Sequence, residues 1–220
     1  LTKDRARRGY SPMATENFAS LVGQEAANDL VKKYRVGPEP DSRISDDAVL
    51  SSSSLHQPNA WPSTQVWGED DASFFKKSIE EYFEQTRLAA DNILSAICDG
   101  ITAKNNEDNV LSIDVLSRKS KNHTSILTLL GYQHGSRHKK GSKGYMRPLV
   151  AAHTDVGVIT VLLYDSGKCA ALQRVADASK ADPTTKEWVD VILPPVQDDP
   201  VFVVNVGDCL SELTAGSLRS

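Results

Sequence analysis

The spacing of apolar and polar positions divides the chain into a helical stretch followed by a series of short strands. Within residues 73–99, Ile79, Tyr82, Phe83, Thr86, Ala90, Ile93, Leu94 and Ile97 recur at three- and four-residue steps. Side chains at those steps share one face of an α-helix, so the spacing predicts a single buried stripe. Glu80, Glu81, Glu84, Arg87 and Asp91 fall on the other side. Ser73 is the expected N-cap and Gly100 the expected stop. A shorter helix over 110–116 is expected after Asp108, followed by a basic loop over 117–122. From residue 124 the pattern changes to short runs rich in β-branched residues: 124–132, 149–152, 158–164, 170–175, 188–193 and 201–206. Prolines, glycines and acids separate them, which is the pattern of a double-sheet jelly roll. Residues 1–37 read as irregular chain with short helical pieces. Arg5, Arg7 and Arg8 read as a solvated face, and 38–72, without periodicity, as a long connection in which Trp61 and Trp67 are packing residues. The fold class is therefore mainly β with a helical N-terminal part.

Composition narrows the function classes. With 220 residues, the chain is long enough for one sizeable core, and 40% apolar with 25% charged residues is the balance of a globular protein. The net charge of -4 gives no global attraction to nucleic acid or to an anionic membrane, and neither is an expected partner. No apolar run approaches the ~18 residues that a membrane helix needs. The first ten residues are too charged for a signal peptide. Three widely spaced cysteines, Cys98, Cys169 and Cys209, argue against a disulfide framework and for a reducing, cytoplasmic setting. The segment 133–144 carries His134, Arg137, His138, Lys139, Lys140 and Lys143 and no acid. It reads as a solvated loop, or as a mouth loop that draws in an anionic ligand. No aromatic residue interleaves its charges, which disfavours nucleic acid.

The candidate chemistry lies in RPLVAAHTDVGVITVLLYD, residues 147–165. Two β-rich runs flank His153, Thr154 and Asp155. On extended backbone, residues two apart point to the same side, so an imidazole and a carboxylate can converge there. They are two thirds of the two-histidine, one-carboxylate set that holds non-haem Fe(II). Gly157 offers a bend just after them. By spacing alone, the pair also reads as a polar turn between two buried strands.

The longer series resembles a known family. His153-Thr154-Asp155-x-Gly157-x-x-Thr160-x-Leu162-Leu163-Tyr164-Asp165 is followed by Ala171-Leu172-Gln173 and Trp188-Val189. Phe202-Val203-Val204-Asn205-Val206-Gly207-Asp208 and Leu213-Thr214-x-Gly216 come next. In order and gaps this resembles the Fe(II)- and 2-oxoglutarate-dependent dioxygenases of the isopenicillin N synthase-like family, most closely from about Ser125 to Ser220. The resemblance implies a double-stranded β-helix, incomplete at the C-terminus, with a helical and irregular region over 1–122 and a partial β-core over 123–220. It implies Fe(II) held by His153 and Asp155, and 2-oxoglutarate as co-substrate. Dioxygen activation would be coupled to decarboxylation of 2-oxoglutarate, and a small-molecule substrate would be hydroxylated, desaturated or cyclised. Tyr132 stands in the slot of a family tyrosine that touches the co-substrate, although the Asn and Pro of that signature are absent here. Asn205, Gly207 and Asp208 match a strand-and-turn motif with a structural role. The family's second histidine follows a Ser-x-x-His-Arg-Val pattern, which would place it about three residues beyond Ser220. The expectation is thus a partial chain, starting at Leu1, that is inactive or nearly so as written. A non-catalytic jelly roll that binds a ligand or a partner is the alternative. Oligomeric state is not legible.

Overall fold

The computed structural model describes residues 8–23, 25–39, 57–104, 123–132, 149–163, 172–176, 187–192 and 201–220. The expected helix at 110–116, the basic loops at 117–122 and 133–144, and Arg5 and Arg7 lie outside them. The chain divides into two compact units, Leu1–His153 and Thr154–Ser220.

The first unit contains a three-stranded antiparallel sheet of order β1-β2-β3, made of Gly9–Ser11, Val31–Val36 and Leu127–Tyr132. Tyr34 of β2 faces Tyr10 on one side and Leu129 on the other, so β2 is central. Two strands and a 3-10 turn at Ala19–Val22 thus stand where the sequence reads as irregular chain with helical pieces. The reason lies in β2, VKKYRV. Lys33 and Arg35 occupy the face of Val31, and the Glu16 carboxylate meets both, with Nζ at 3.0 Å and a guanidinium nitrogen at 2.7 Å. A neutralised cation can sit at an inward position, which defeats an apolar–polar count. Lys33 is buried, and so is Arg8, at the foot of β1, instead of standing on a solvated face.

Helix α1, Thr64–Trp67, starts at Ser63, whose hydroxyl accepts from the Gln65 amide. Gly68, with φ 83, turns the chain into α2, Glu69–Lys104. This 36-residue helix overruns the expected 73–99 at both ends. Glu69, Asp70 and Asp71 stand in its first turn, where acids suit the positive end of the helix, and Ser73 is no cap. Gly100 lies within the last turns and stops nothing. The apolar stripe is as expected, with Leu94 and Cys98 buried and Ile79, Phe83, Ala90 and Ile97 half-buried. Burial, with a smaller push from Asp99, raises the Cys98 thiol above its ordinary value. Phe75 meets Tyr34 of the sheet edge-on at 5.4 Å and Trp67 at 5.2 Å, although Trp67 stays 47% exposed. Burial of the Tyr34 phenol pushes it up to about 12.

The run 149–152 is not a strand. Leu149 accepts from the Leu30 amide at 2.6 Å, but the Ala151 N–H donates to the Asp29 carboxylate instead of to a strand partner. In the second unit β4, Ile159–Leu163, pairs antiparallel with β7, Phe202–Val206. β5, Gln173–Val175, pairs antiparallel with β6, Trp188–Asp190. Helix α3, Asp208–Leu213, carries the fully buried Leu210. Gly216, with φ 75, donates to Ser211 at 2.9 Å and closes that helix. Among the described residues the architecture is mixed, antiparallel sheets with a dominant helix, and no sheet closes into a barrel.

Candidate metal centre

His153 is the last residue of the first unit, and its ring is held from two directions. Its Nδ1 lies 2.8 Å from the Ala151 carbonyl oxygen. A carbonyl only accepts, so Nδ1 carries a proton, which in the neutral form of the ring leaves the lone pair on Nε2. Its ring stacks on Phe18 with centroids 4.4 Å apart and planes 20° apart. The Phe18 ring in turn lies 3.9 Å from the Lys33 ammonium. Beneath this, the buried Asp29 carboxylate accepts from the Phe18 amide at 2.9 Å and from the Ala151 amide at 3.0 Å. Lys33 and Arg35 hold the Glu16 carboxyl far below the ordinary carboxylate range, the Arg35 fork most of all. At Lys33 the balance runs the other way, because burial outweighs Glu16 and lowers the ammonium. The Arg35–Glu16 fork, with two bonds of 2.7 Å, is the stronger half of this network.

Asp155 belongs to the second unit and is half-buried there. Its backbone carbonyl accepts from the Asp208 amide at 2.7 Å, and the Gly157 carbonyl accepts from Cys209 at 3.1 Å. The Thr154 hydroxyl donates to the Asp208 carboxylate at 2.8 Å. A Cβ on Gly207 would run into the Gly157 carbonyl oxygen, so the turn after β7 needs glycine to lie against the Asp155 loop. The demand for glycine falls there and not on Gly157, whose position has open space and no left-handed φ.

Tyr132 ends β3 opposite Val31 and is 39% exposed. Its place beside a co-substrate rests on motif order alone. His134 and His138 lie outside the described residues. Among the described residues no group of three His, Cys, Asp or Glu side chains could hold a metal ion. Taken singly, an imidazole held at Nδ1 and a carboxylate on a loop braced within its own unit are donor types that Fe(II) takes.

Comparison with known proteins bears on the family and not on single residues. No family model matches the chain. Clavatol oxidase claD of Penicillium crustosum is 27% identical over 216 residues, covering 97% of this chain and 56% of that protein. The 2-oxoglutarate-dependent dioxygenase citB of Monascus ruber is 29% identical over 215 residues, covering 97% and 56%. The chain is similar to proteins named as 2-oxoglutarate-dependent dioxygenases. It spans little more than half the length of these curated relatives. Among solved structures, a full-length Neurospora crassa protein in complex with alpha-KG matches with a TM-score of 0.62 and 26% identity, covering 100% of this chain and 56% of that one. A second complex of the same Neurospora protein, with alpha-KG and thymine, matches with a TM-score of 0.65 and 24% identity, covering 100% and 57%.

Sequence reasoning named His153 and Asp155 as candidates but not the residues packed around them. Phe18 and Asp29 lie more than a hundred positions upstream of His153, in a stretch that reads as irregular. Their one signal was a buried-type acid, Asp29, directly before the apolar Leu30-Val31. Asp208 was visible within its motif, and its structural reading holds.

Proposed function

We propose that this protein is an oxidoreductase that uses Fe(II), dioxygen and 2-oxoglutarate to oxidise a small organic molecule. His153 and Asp155 would be two of the metal's protein donors. The observation that carries the reading is the His153 Nδ1 bond to the Ala151 carbonyl, because it assigns the lone pair to Nε2. A metal-ligating histidine ordinarily has its other ring nitrogen engaged in this way. The names of the relatives support the co-substrate. When bound, iron and 2-oxoglutarate supply dioxygen activation and the oxidising equivalents. The chain's own residues do the rest. His153 is a neutral donor of fixed tautomer. Asp155 brings one negative charge. Thr154, Gly207 and Asp208 brace the loop that carries it. A third donor is to be sought outside the described residues. The double-stranded β-helix, the isopenicillin N synthase-like subfamily and Tyr132 at the co-substrate belong to the same proposal, resting on the motif order.

The test is an anaerobic Fe(II) titration of the 220-residue chain beside His153→Ala. Weak, exchangeable binding that His153→Ala removes supports a two-donor share of the site. Tight stoichiometric binding lost in the variant also supports the assignment, and makes His134 and His138 the next residues to substitute. Equal affinity in both proteins overturns it.

A further inference from the structure

We propose that Asp29 and Phe18 form a clamp that sets the ring plane and the tautomer of His153. Both reach His153 within the first unit. Asp29 is 2% exposed, and its backbone is fixed on both sides: its amide donates to Glu16 at 2.8 Å and its carbonyl accepts from Ala14 at 3.1 Å. Its two carboxylate oxygens serve two different segments, Oδ2 the Phe18 amide and Oδ1 the Ala151 amide. Those segments carry the two groups that hold the imidazole. The Ala151 carbonyl accepts a hydrogen bond from Nδ1, and the Phe18 ring covers the imidazole face. One buried carboxylate therefore fixes the distance between the hydrogen-bond acceptor and the stacking surface. Charge-assisted bonds from amides to a carboxylate are about twice as strong as neutral ones, which suits a part that must not shift. Lys33, itself held by Glu16, lies over the Phe18 ring and restrains it further.

The clamp matters because a neutral imidazole in water favours the proton on Nε2, the nitrogen that would then be closed to a metal. A ring held against Ala151 is set in the other form before any metal arrives. Asp29 and Phe18 are thus positioning residues, acting through His153. Their use in presenting Nε2 to iron rests on the proposed function, whereas the tautomer itself does not.

The experiment uses the 220-residue chain labelled with ¹⁵N-histidine, metal-free, at a pH where imidazole is neutral. Two-bond ¹H–¹⁵N spectra read which ring nitrogen carries the proton, with His153 assigned by His153→Gln. The expected result is an Nδ1-protonated His153 in the parent chain and in Phe18→Tyr, which keeps the stacked ring. Phe18→Leu and Asp29→Asn, checked for an unchanged fold by circular dichroism, should move the majority to Nε2. Should Asp29→Asn fail to fold, Phe18→Leu alone decides. An Nε2-protonated parent, or Phe18→Leu with the parent's tautomer, overturns the clamp. Co(II) titration of the same samples separates the two readings. Binding about tenfold weaker in Phe18→Leu supports clamp and metal site together. A moved tautomer, with Co(II) binding indifferent even to His153→Gln, upholds the clamp and removes the metal assignment.

Discussion

At Gly207 one missing Cβ decides how closely the chain can lie against the loop of Asp155. Its φ of -99 is open to any residue, so the constraint is contact and not backbone strain. An added methyl would collide with the Gly157 carbonyl oxygen, and would stand 2.7 Å from its carbon and 3.0 Å from the Asp155 carbonyl oxygen. All are backbone, so no side chain can swing away. Gly207→Ala should cost about 2 kcal/mol, as overpacking does, and loosen the Asp208 bonds to Asp155 and Thr154. Gly157→Ala meets nothing within 4 Å and should stay within about 0.5 kcal/mol of the parent. Urea unfolding of both variants reads the difference, and equal midpoints would refute it.

Among elements, β2 shows how a strand can be held by charge on an inward face. Glu16 closes that face, and Lys33 and Arg35 hold its carboxyl far below the ordinary value of 4.5. A depressed carboxyl stabilises the fold in full above that value. The stability is lost progressively as pH falls below 4.5 towards the folded-state value, because the unfolded chain takes up the proton first. Acid titration of the unfolding midpoint should therefore show a falling limb below pH 4.5 that is shallower in Glu16→Gln. At neutral pH the same variant should lose about 3 kcal/mol, since it leaves the Lys33 and Arg35 cations buried without their acid. A variant with the parent's acid limb would show that Glu16 does not close β2.

For the molecule as a whole, the question is whether a metal is part of the fold. Among the described residues the buried apolar side chains are Ala19, Val31, Val36, Ala72, Leu94 and Cys98 in the first unit and Leu210 in the second. The described residues bring no three metal donors together. In the function proposed above iron acts as a reagent, and its removal is expected to leave the fold intact. A strong chelator should leave the thermal midpoint within about 2 °C, whereas a structural metal would shift it by many degrees. Differential scanning calorimetry with and without chelator reads this directly.

Periodicity alone determined the stripe of α2 and the strands β3, β4 and β7, because each is a local pattern that repeats within a few residues. Motif order pointed to the 2-oxoglutarate-dependent dioxygenases as similar proteins and made His153 and Asp155 the candidates. Element ends were legible only approximately: α2 runs on through Gly100, since one glycine costs a helix about 1 kcal/mol, less than the packing around it returns. What only the tertiary structure decided is long-range and polar. β2 became a central strand because Glu16 neutralises its cations from 17 and 19 positions upstream. Residues 149–152 were kept from being a strand because Asp29 takes the Ala151 amide. The ring of His153 is set by Phe18 and Asp29, which stand over a hundred residues away in sequence. A hydrogen bond between a buried carboxylate and a distant amide leaves no period in the sequence, so only the folded chain could show it.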